Sequence, residues 1–279
     1  MKDITILIPV HEYNDEVKEL LSEALASVMK CQENYSKGRL IPMIVYADGD
    51  GCDAFLDETK KTFDGRLQIE TVKNDGDTDY CSQINLGVEN VKTEHFSILE
   101  FDDTYTAKWF DIASRYFVGN ETISVFLPIN LLHNVVNGDW QYGNAMGISP
   151  MFITPDENDK DEIGIINFMR LEKCALFNLT GSIFNTSDFK TVGKYKPSIK
   201  VAFNYEFLLR LTRMGLKAMV VPKEGYVHAI GRRGSLTDKY VNEISEAEQQ
   251  KWFALAIREC VYKEDRKKDI TNIKEEAIK

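Results

Sequence analysis

The unbroken run Ile4-Thr-Ile-Leu-Ile-Pro-Val10 limits what this chain can become more than any other feature. A β-rich apolar segment without polar alternation reads as a strand covered on both faces, as in a parallel sheet. A short polar loop, His11-Glu-Tyr-Asn-Asp15, follows it. Beyond the loop, Val17, Leu20, Leu21, Ala24, Leu25 and Val28 recur at helical spacing, and Asn14 or Asp15 can cap the first turn. The alternation then repeats. Strands are expected at Pro42 to Ala47, ending in Asp48-Gly-Asp-Gly51, at Leu67 to Val72 and at Phe96 to Phe101. Helices are expected over Asp53–Thr62, Tyr80–Val91 and Ala107–Phe117. Strands alternating with helices imply an α/β layer fold that binds its ligand at the C-terminal ends of the strands.

After a strand at Thr122–Leu127 the pattern weakens, and the acidic stretch Pro155–Glu162 reads as a solvated loop. Order resumes with a helix over Asn204–Met214, a strand over Lys217–Val221 that Pro222 ends, and a last amphipathic helix over Ile244 to Tyr262. The charged tail from Lys263 is expected to fray. The net charge of −10 over 279 residues argues against broad binding of nucleic acid or anionic membrane through bulk charge. Five cysteines, odd in number and without a Cys-x-x-Cys pair, give neither a disulfide framework nor a zinc site. With no signal peptide or membrane-spanning stretch in view, a cytosolic protein, free or resting on a membrane surface, is expected.

In Ser97-Ile-Leu-Glu-Phe-Asp-Asp-Thr-Tyr105 an apolar strand runs directly into the three carboxylates Glu100, Asp102 and Asp103. Oxygen ligands gathered at a strand end suit a hard divalent cation; a polar strand terminus with a capping aspartate is the plainer alternative. The runs Asp48–Asp53 and Asn74–Asp79 lack the glycine and bidentate glutamate of a calcium-binding EF-hand. A Walker lysine motif, a Gly-x-Gly-x-x-Gly turn, a serine elbow and a His-Glu-x-x-His helix are all missing from the sequence.

Taken in order, the remaining motifs resemble the family 2-like glycosyltransferases of the GT-A fold, from about residue 4 to about residue 233. Ile6-Leu-Ile-Pro-Val-His-Glu-Tyr-Asn14 is similar to their first strand and donor-base loop, and Ile44-Val-Tyr-Ala-Asp-Gly49 to the strand whose aspartate contacts the nucleobase. Asn85-Leu-Gly87 matches the asparagine-x-glycine of the next helix. Glu100-Phe-Asp-Asp103 stands where those enzymes carry their metal and diphosphate motif, with glutamate in place of the first aspartate. Thr180–Tyr195 resembles the segment that closes over sugar and acceptor. Asn204-Tyr-Glu-Phe-Leu-Leu-Arg210 resembles the helix that carries the catalytic base in inverting members, but asparagine cannot accept a proton there. Glu206 is the expected replacement base or acceptor-orienting group. The same Asn-x-Glu-Phe helix also resembles that of the retaining polypeptide GalNAc-transferases and of metal-dependent bacterial polymer synthases, in which a histidine after the following strand completes the metal site; His228 stands there.

The resemblance implies a GT-A fold: a mixed, mainly parallel sheet flanked by helices, spanning residues 1–233, with a C-terminal helical extension over 234–279. Residues 1–105 would bind nucleotide and 106–233 acceptor. Asp102, Asp103 and His228 would hold Mn²⁺ or Mg²⁺. Pro9, His11, Glu12, Asp48, Asn85 and Glu100 would bind the nucleotide part of a UDP-sugar, with Arg232 and Arg233 closing on the diphosphate. The acceptor could be a glycan, a lipid-linked saccharide, a protein or a modified nucleic-acid base. Two other readings stay open: a sugar-phosphate nucleotidyltransferase, and a catalytically silent binding protein on the same fold.

Overall fold

The computed structural model describes residues 2–120, 122–143, 164–168, 171, 178–199, 201–232 and 244–258. Its strands are β1 (Ile4–Val10), β2 (Leu40–Ala47), β3 (Glu70–Asn74), β4 (His95–Ile98), β5 (Thr104–Tyr105), β6 (Ile123–Asn134), β7 (Trp140–Tyr142), β8 (Ile165–Ile166), β9 (Ile183–Asn185) and β10 (Lys217–Ile230). They form one sheet in the order β3-β2-β1-β4-β9-β6-β10-β5, with β7 added to β6 and β8 to β10. The pairs β1–β2, β1–β4, β2–β3 and β6–β10 are parallel. Antiparallel β9 is wedged between β4 and β6. The expected mixed, mainly parallel α/β sheet is therefore present.

Every residue of β1 is buried. Its Pro9 is tolerated because β4 pairs only with Ile4–Leu7, so the missing N–H falls where β1 has a partner on one side alone. Helices α1 (Asp15–Asn34), α2 (Cys52–Thr62) and α4 (Trp109–Ala113) cover one face, burying Val17, Leu21, Leu25, Phe55 and Trp109 against Ile4, Ile6 and Ile8. Asn14 caps α1 by accepting the Val17 N–H at 2.9 Å. The other face is covered by α3 (Tyr80–Asn90), α5 (Thr186–Thr191) and α6 (Phe203–Arg213), through Ile84, Val88, Phe189, Phe207 and Leu208. Gly87 lets α3 approach the sheet: a Cβ there would stand 2.9 Å from Val45 Cγ2 and 3.0 Å from Leu7 Cδ2.

Several boundaries differ from the sequence reading, β6 among them, which runs on to Asn134 rather than ending at Leu127. The third strand begins at Glu70 rather than Leu67. β4 stops at Ile98, because the chain turns there and the Asp103 N–H closes on the Glu100 carbonyl at 3.1 Å. The helix expected over residues 107–117 is the single turn α4 followed by a 3₁₀ turn, Ser114–Tyr116. Pro222 does not end its strand: register slips between Val220 and Glu224 and between Glu224 and Tyr226 absorb it, and β10 continues to Ile230. The last helix is described over residues 246–258, inside the expected span, and packs Phe253 on Tyr205 with ring centroids 5.7 Å apart. The acidic stretch 155–162 and the tail from Lys263 lie outside the described residues.

Cys31 and Cys81 are buried thiols, each pushed up to about 12 by that burial. Iodoacetamide at mildly alkaline pH is expected to leave both unmodified in the native protein and to label both in denaturant, read by peptide mass spectrometry. Rapid native labelling would contradict the packing of α1 and α3.

Candidate active site

The C-terminal ends of β1, β2 and β4 and the last residues of β10 gather most of the polar side chains singled out above. Pairing of Tyr105 with Tyr226 and of Thr104 with Val227 brings Asp103 opposite His228. Asp103 is buried and both its oxygens are committed: Oδ2 to His228 Nδ1 at 2.8 Å, and Oδ1 to the Ala229 N–H at 2.8 Å. Beside it, Arg232 Nε donates to Asp102 Oδ2 at 2.8 Å, with the guanidinium carbon 5.2 Å from the centre of the Phe101 ring. The Tyr226 hydroxyl accepts the Glu100 N–H at 3.1 Å, holding the turn on β10.

The charges here balance internally. Burial works against an imidazolium at His228, but the charge and hydrogen bond of Asp103, with the charges of Glu100 and Asp102, raise it to about 9. Burial, then the charges of Asp103 and Asp102, push Glu100 up to about 8. Burial and the Asp103 charge also raise Asp102, against the pull of Arg232. Burial, and then the charge of Glu100, raise the Tyr80 phenol at the start of α3 well above its ordinary value.

On the nucleotide side, Pro9 is buried in β1, while His11 is exposed and meets Phe101 edge-on with centroids 5.9 Å apart. His11 Nε2 lies 3.8 Å from Glu12 Oε1. Asp48 is exposed at the end of β2, where Lys73 Nζ stands 3.0 Å from its Oδ2 and holds the carboxyl below the usual range. The Tyr13 hydroxyl donates to the Ala47 carbonyl, joining the β1 loop to the end of β2.

Two expected site residues serve the fold. The Asn85 amide donates to the Tyr195 carbonyl at 2.8 Å and accepts the Tyr195 N–H at 3.0 Å, clamping the Val192–Tyr195 turn to α3. Glu206 is turned inward and fully buried. Arg210 grips it through Nε to Oε1 at 2.7 Å and Nη2 to Oε2 at 2.8 Å, and Lys196 Nζ lies 2.8 Å from Oε1. Arg210 also donates to the carbonyls of Val192 and Lys194. With both oxygens spent on two cations, Glu206 is not placed to take an acceptor proton. Asn204 is half-buried on the first turn of α6, next to Phe203, whose ring lies 5.5 Å from Tyr80. Arg233 lies outside the described residues.

Sequence reasoning missed Lys73, Tyr80, Tyr226 and the Lys196–Arg210 pair. Only Arg210 left a local signal, its helical i,i+4 spacing from Glu206.

Among the described residues, no three His, Cys, Asp or Glu side chains stand together as a ready cation cage. The donor chemistry still suits a divalent ion. Fixing His228 Nδ1 on a carboxylate leaves Nε2 as the nitrogen that would ligate once a bound cation displaces its proton, the usual second-sphere arrangement at metal-bound histidines, and Asp102 is a further carboxylate in the same turn. Magnesium-type sites commonly take one or two protein ligands and complete their shell with substrate phosphates.

No protein-family model matches the chain. It is 21% identical over 217 residues to an uncharacterized glycosyltransferase of Rickettsia conorii, covering 76% of this chain and 31% of that protein. A second uncharacterized glycosyltransferase, of Rickettsia felis, is 20% identical over the same coverage. The chain thus spans about a third of the length of the curated relatives it matches. Among solved structures it is similar to S. aureus TarS bound to UDP-GlcNAc (TM-score 0.62, 14% identity, 92% of this chain and 67% of that one). It is also similar to a mannosyltransferase of Pyrobaculum calidifontis bound to GDP-Man and Mn²⁺ (TM-score 0.61, 16% identity, 91% and 64%). GalNAc-T7 with UDP, GalNAc and Mn²⁺ matches at TM-score 0.58 and 14% identity, over 90% of this chain and 49% of that one. The chain has the GT-A fold.

Proposed function

We propose that this GT-A chain transfers a sugar from a nucleotide diphosphate sugar to an acceptor hydroxyl, with a divalent cation. The observation that carries this reading is the Asp103–His228 pair, which fixes the imidazole through Nδ1 to the residue next in the chain to Asp102, at the end of a nucleotide-binding type of sheet. Asp102 and His228 would hold Mn²⁺ or Mg²⁺, which when bound supplies charge stabilisation to a departing diphosphate. Asp103 orients the imidazole. His11, Glu12 and Asp48 would face the nucleobase and Glu100 the ribose, while Arg232 leaves Asp102 to pair with diphosphate oxygens. Glu206 acts indirectly, through Arg210 and Lys196, by fixing the Val192–Tyr195 turn beside α6. A UDP-sugar carrying a hexose or N-acetylhexosamine is the proposed donor, and a glycan, lipid-linked saccharide or protein hydroxyl the proposed acceptor. The solved complexes of similar structures with UDP-GlcNAc and GDP-Man support the donor class.

The test is calorimetric titration of UDP, GDP, ADP and CMP with and without Mn²⁺, followed by an assay for sugar released from the matching nucleotide sugar. One nucleotide is expected to bind tightly only with the metal, and its sugar form to be slowly hydrolysed. Binding without any sugar release would point to the silent binding protein. No binding of any nucleotide would leave the fold without this function.

A further inference from the structure

Asn130 stands in the middle of β6, 1% exposed, and neither Oδ1 nor Nδ2 of its side chain has a hydrogen-bond partner. Folded proteins seldom keep such a group, because the amide gives up its water and gains nothing in return. Its position in the sheet says what it is kept for. Asn130 pairs with Tyr226, and two residues further on Leu132 pairs with His228. Tyr105 pairs with Tyr226 from the other side. Cross-strand partners share a face and side chains alternate along each strand, so Asn130, Tyr226, His228 and Asp103 all lie on one face. By strand spacing and rise, the Cα atoms of Asn130 and His228 are about 8 Å apart.

We infer that the Asn130 amide hydrogen-bonds the transferred sugar of the donor, and so reads the hydroxyl or acetamido group that sets sugar preference. The inference rests on the glycosyltransferase reading above. A carboxamide offers one acceptor and two donors, matching the mixed donor and acceptor character of sugar hydroxyls. The nucleotide end of the donor does not fit. Its expected contacts, His11 and Asp48, follow β1 and β2, with β4 and β9 between them and β6. The diphosphate belongs at Asp102 and His228, so the donor group left to meet Asn130 is the sugar beyond it. A site built to hydrogen-bond one substrate group rejects analogues that lack it far more strongly than an apolar pocket does.

The experiment uses Asn130→Leu and Asn130→Ser, with UDP, UDP-GlcNAc, UDP-glucose, GDP and GDP-mannose as probes, titrated in Mn²⁺. In both variants the affinity for the free nucleotide is expected to match wild type. The ratio of the nucleotide-sugar Kd to the nucleotide Kd is expected to rise by about tenfold. Asn130→Leu, of similar size but without the unpaired amide, is also expected to melt higher, by roughly 2–4 °C. An unchanged ratio, or an Asn130→Leu protein that melts lower or fails to fold, overturns the inference, since the amide would then serve the fold. Failure of wild type itself to bind any of the probes overturns the functional reading and this one together, and is distinguishable because it does not involve the variants.

Discussion

Exchanging Asp102 for asparagine is expected to lower metal-dependent sugar transfer by on the order of a hundredfold or more while the protein melts at or slightly above the wild-type temperature. The loss follows from removing a preorganised charge aimed at the departing diphosphate, an interaction of the size that single electrostatic contacts to developing charge usually supply. The thermal result follows from the direction of the Asp102 shift. Burial and the neighbouring Asp103 raise its pKa above the ordinary 3.8. A carboxyl raised on folding is disfavoured in its ionised form, so above the unfolded pKa its charge costs the native state stability. Asparagine keeps an oxygen to accept from Arg232 and drops that charge. Steady-state assays with and without Mn²⁺, beside melting curves, check both halves. Full activity in Asp102→Asn would remove this residue from the cation site; lost activity with a large drop in melting temperature would mean that the charge holds the turn together.

The strand β1 and its helix were legible because a strand covered on both faces has no polar alternation to confuse with anything else, and Asn14 caps α1 in the expected way. The end of β4 was legible as a turn, since an apolar run gives way there to three carboxylates, although the strand stops two residues before Glu100. What failed was pairing over distance. Pro222 reads as a stop, but register slips around it carry β10 onward, and only that continuation puts His228 in the sheet opposite Asp103. The structural work of Asn85 and Gly87 was not legible either: the glycine lets α3 approach the sheet, and the amide clamps a turn 110 residues away in the chain. Asn130 left no signal at all. Its significance comes from having no partner while it shares a face with His228, and neither property exists before the strands are paired.

Replacing Glu206 by alanine is the change expected to damage the fold most. The side chain is fully buried and faces two cations, Arg210 at 15% exposure and Lys196 at 27%. Breaking a buried ion pair from one side strands the partner, at a cost of about 3–5 kcal/mol; access of water to Lys196 favours the lower figure. In a chain of this size that corresponds to a fall in melting temperature on the order of 10 °C. The damage should be local at first, because Arg210 would lose its anchor while still bonded to the carbonyls of Val192 and Lys194, freeing the turn that Asn85 holds from the other side. Removing both charges in Glu206→Leu/Arg210→Met should recover much of the loss, since well-packed apolar pairs commonly replace buried ion pairs without penalty. Metal and nucleotide affinities, measured well below the melting transition, should stay close to wild type in both proteins, because neither Asp102 nor His228 contacts this network. The opposite pattern decides the alternative role. If Glu206→Ala melts like wild type but no longer transfers sugar, its ion pairs must open when substrate binds, and Glu206 is the base after all.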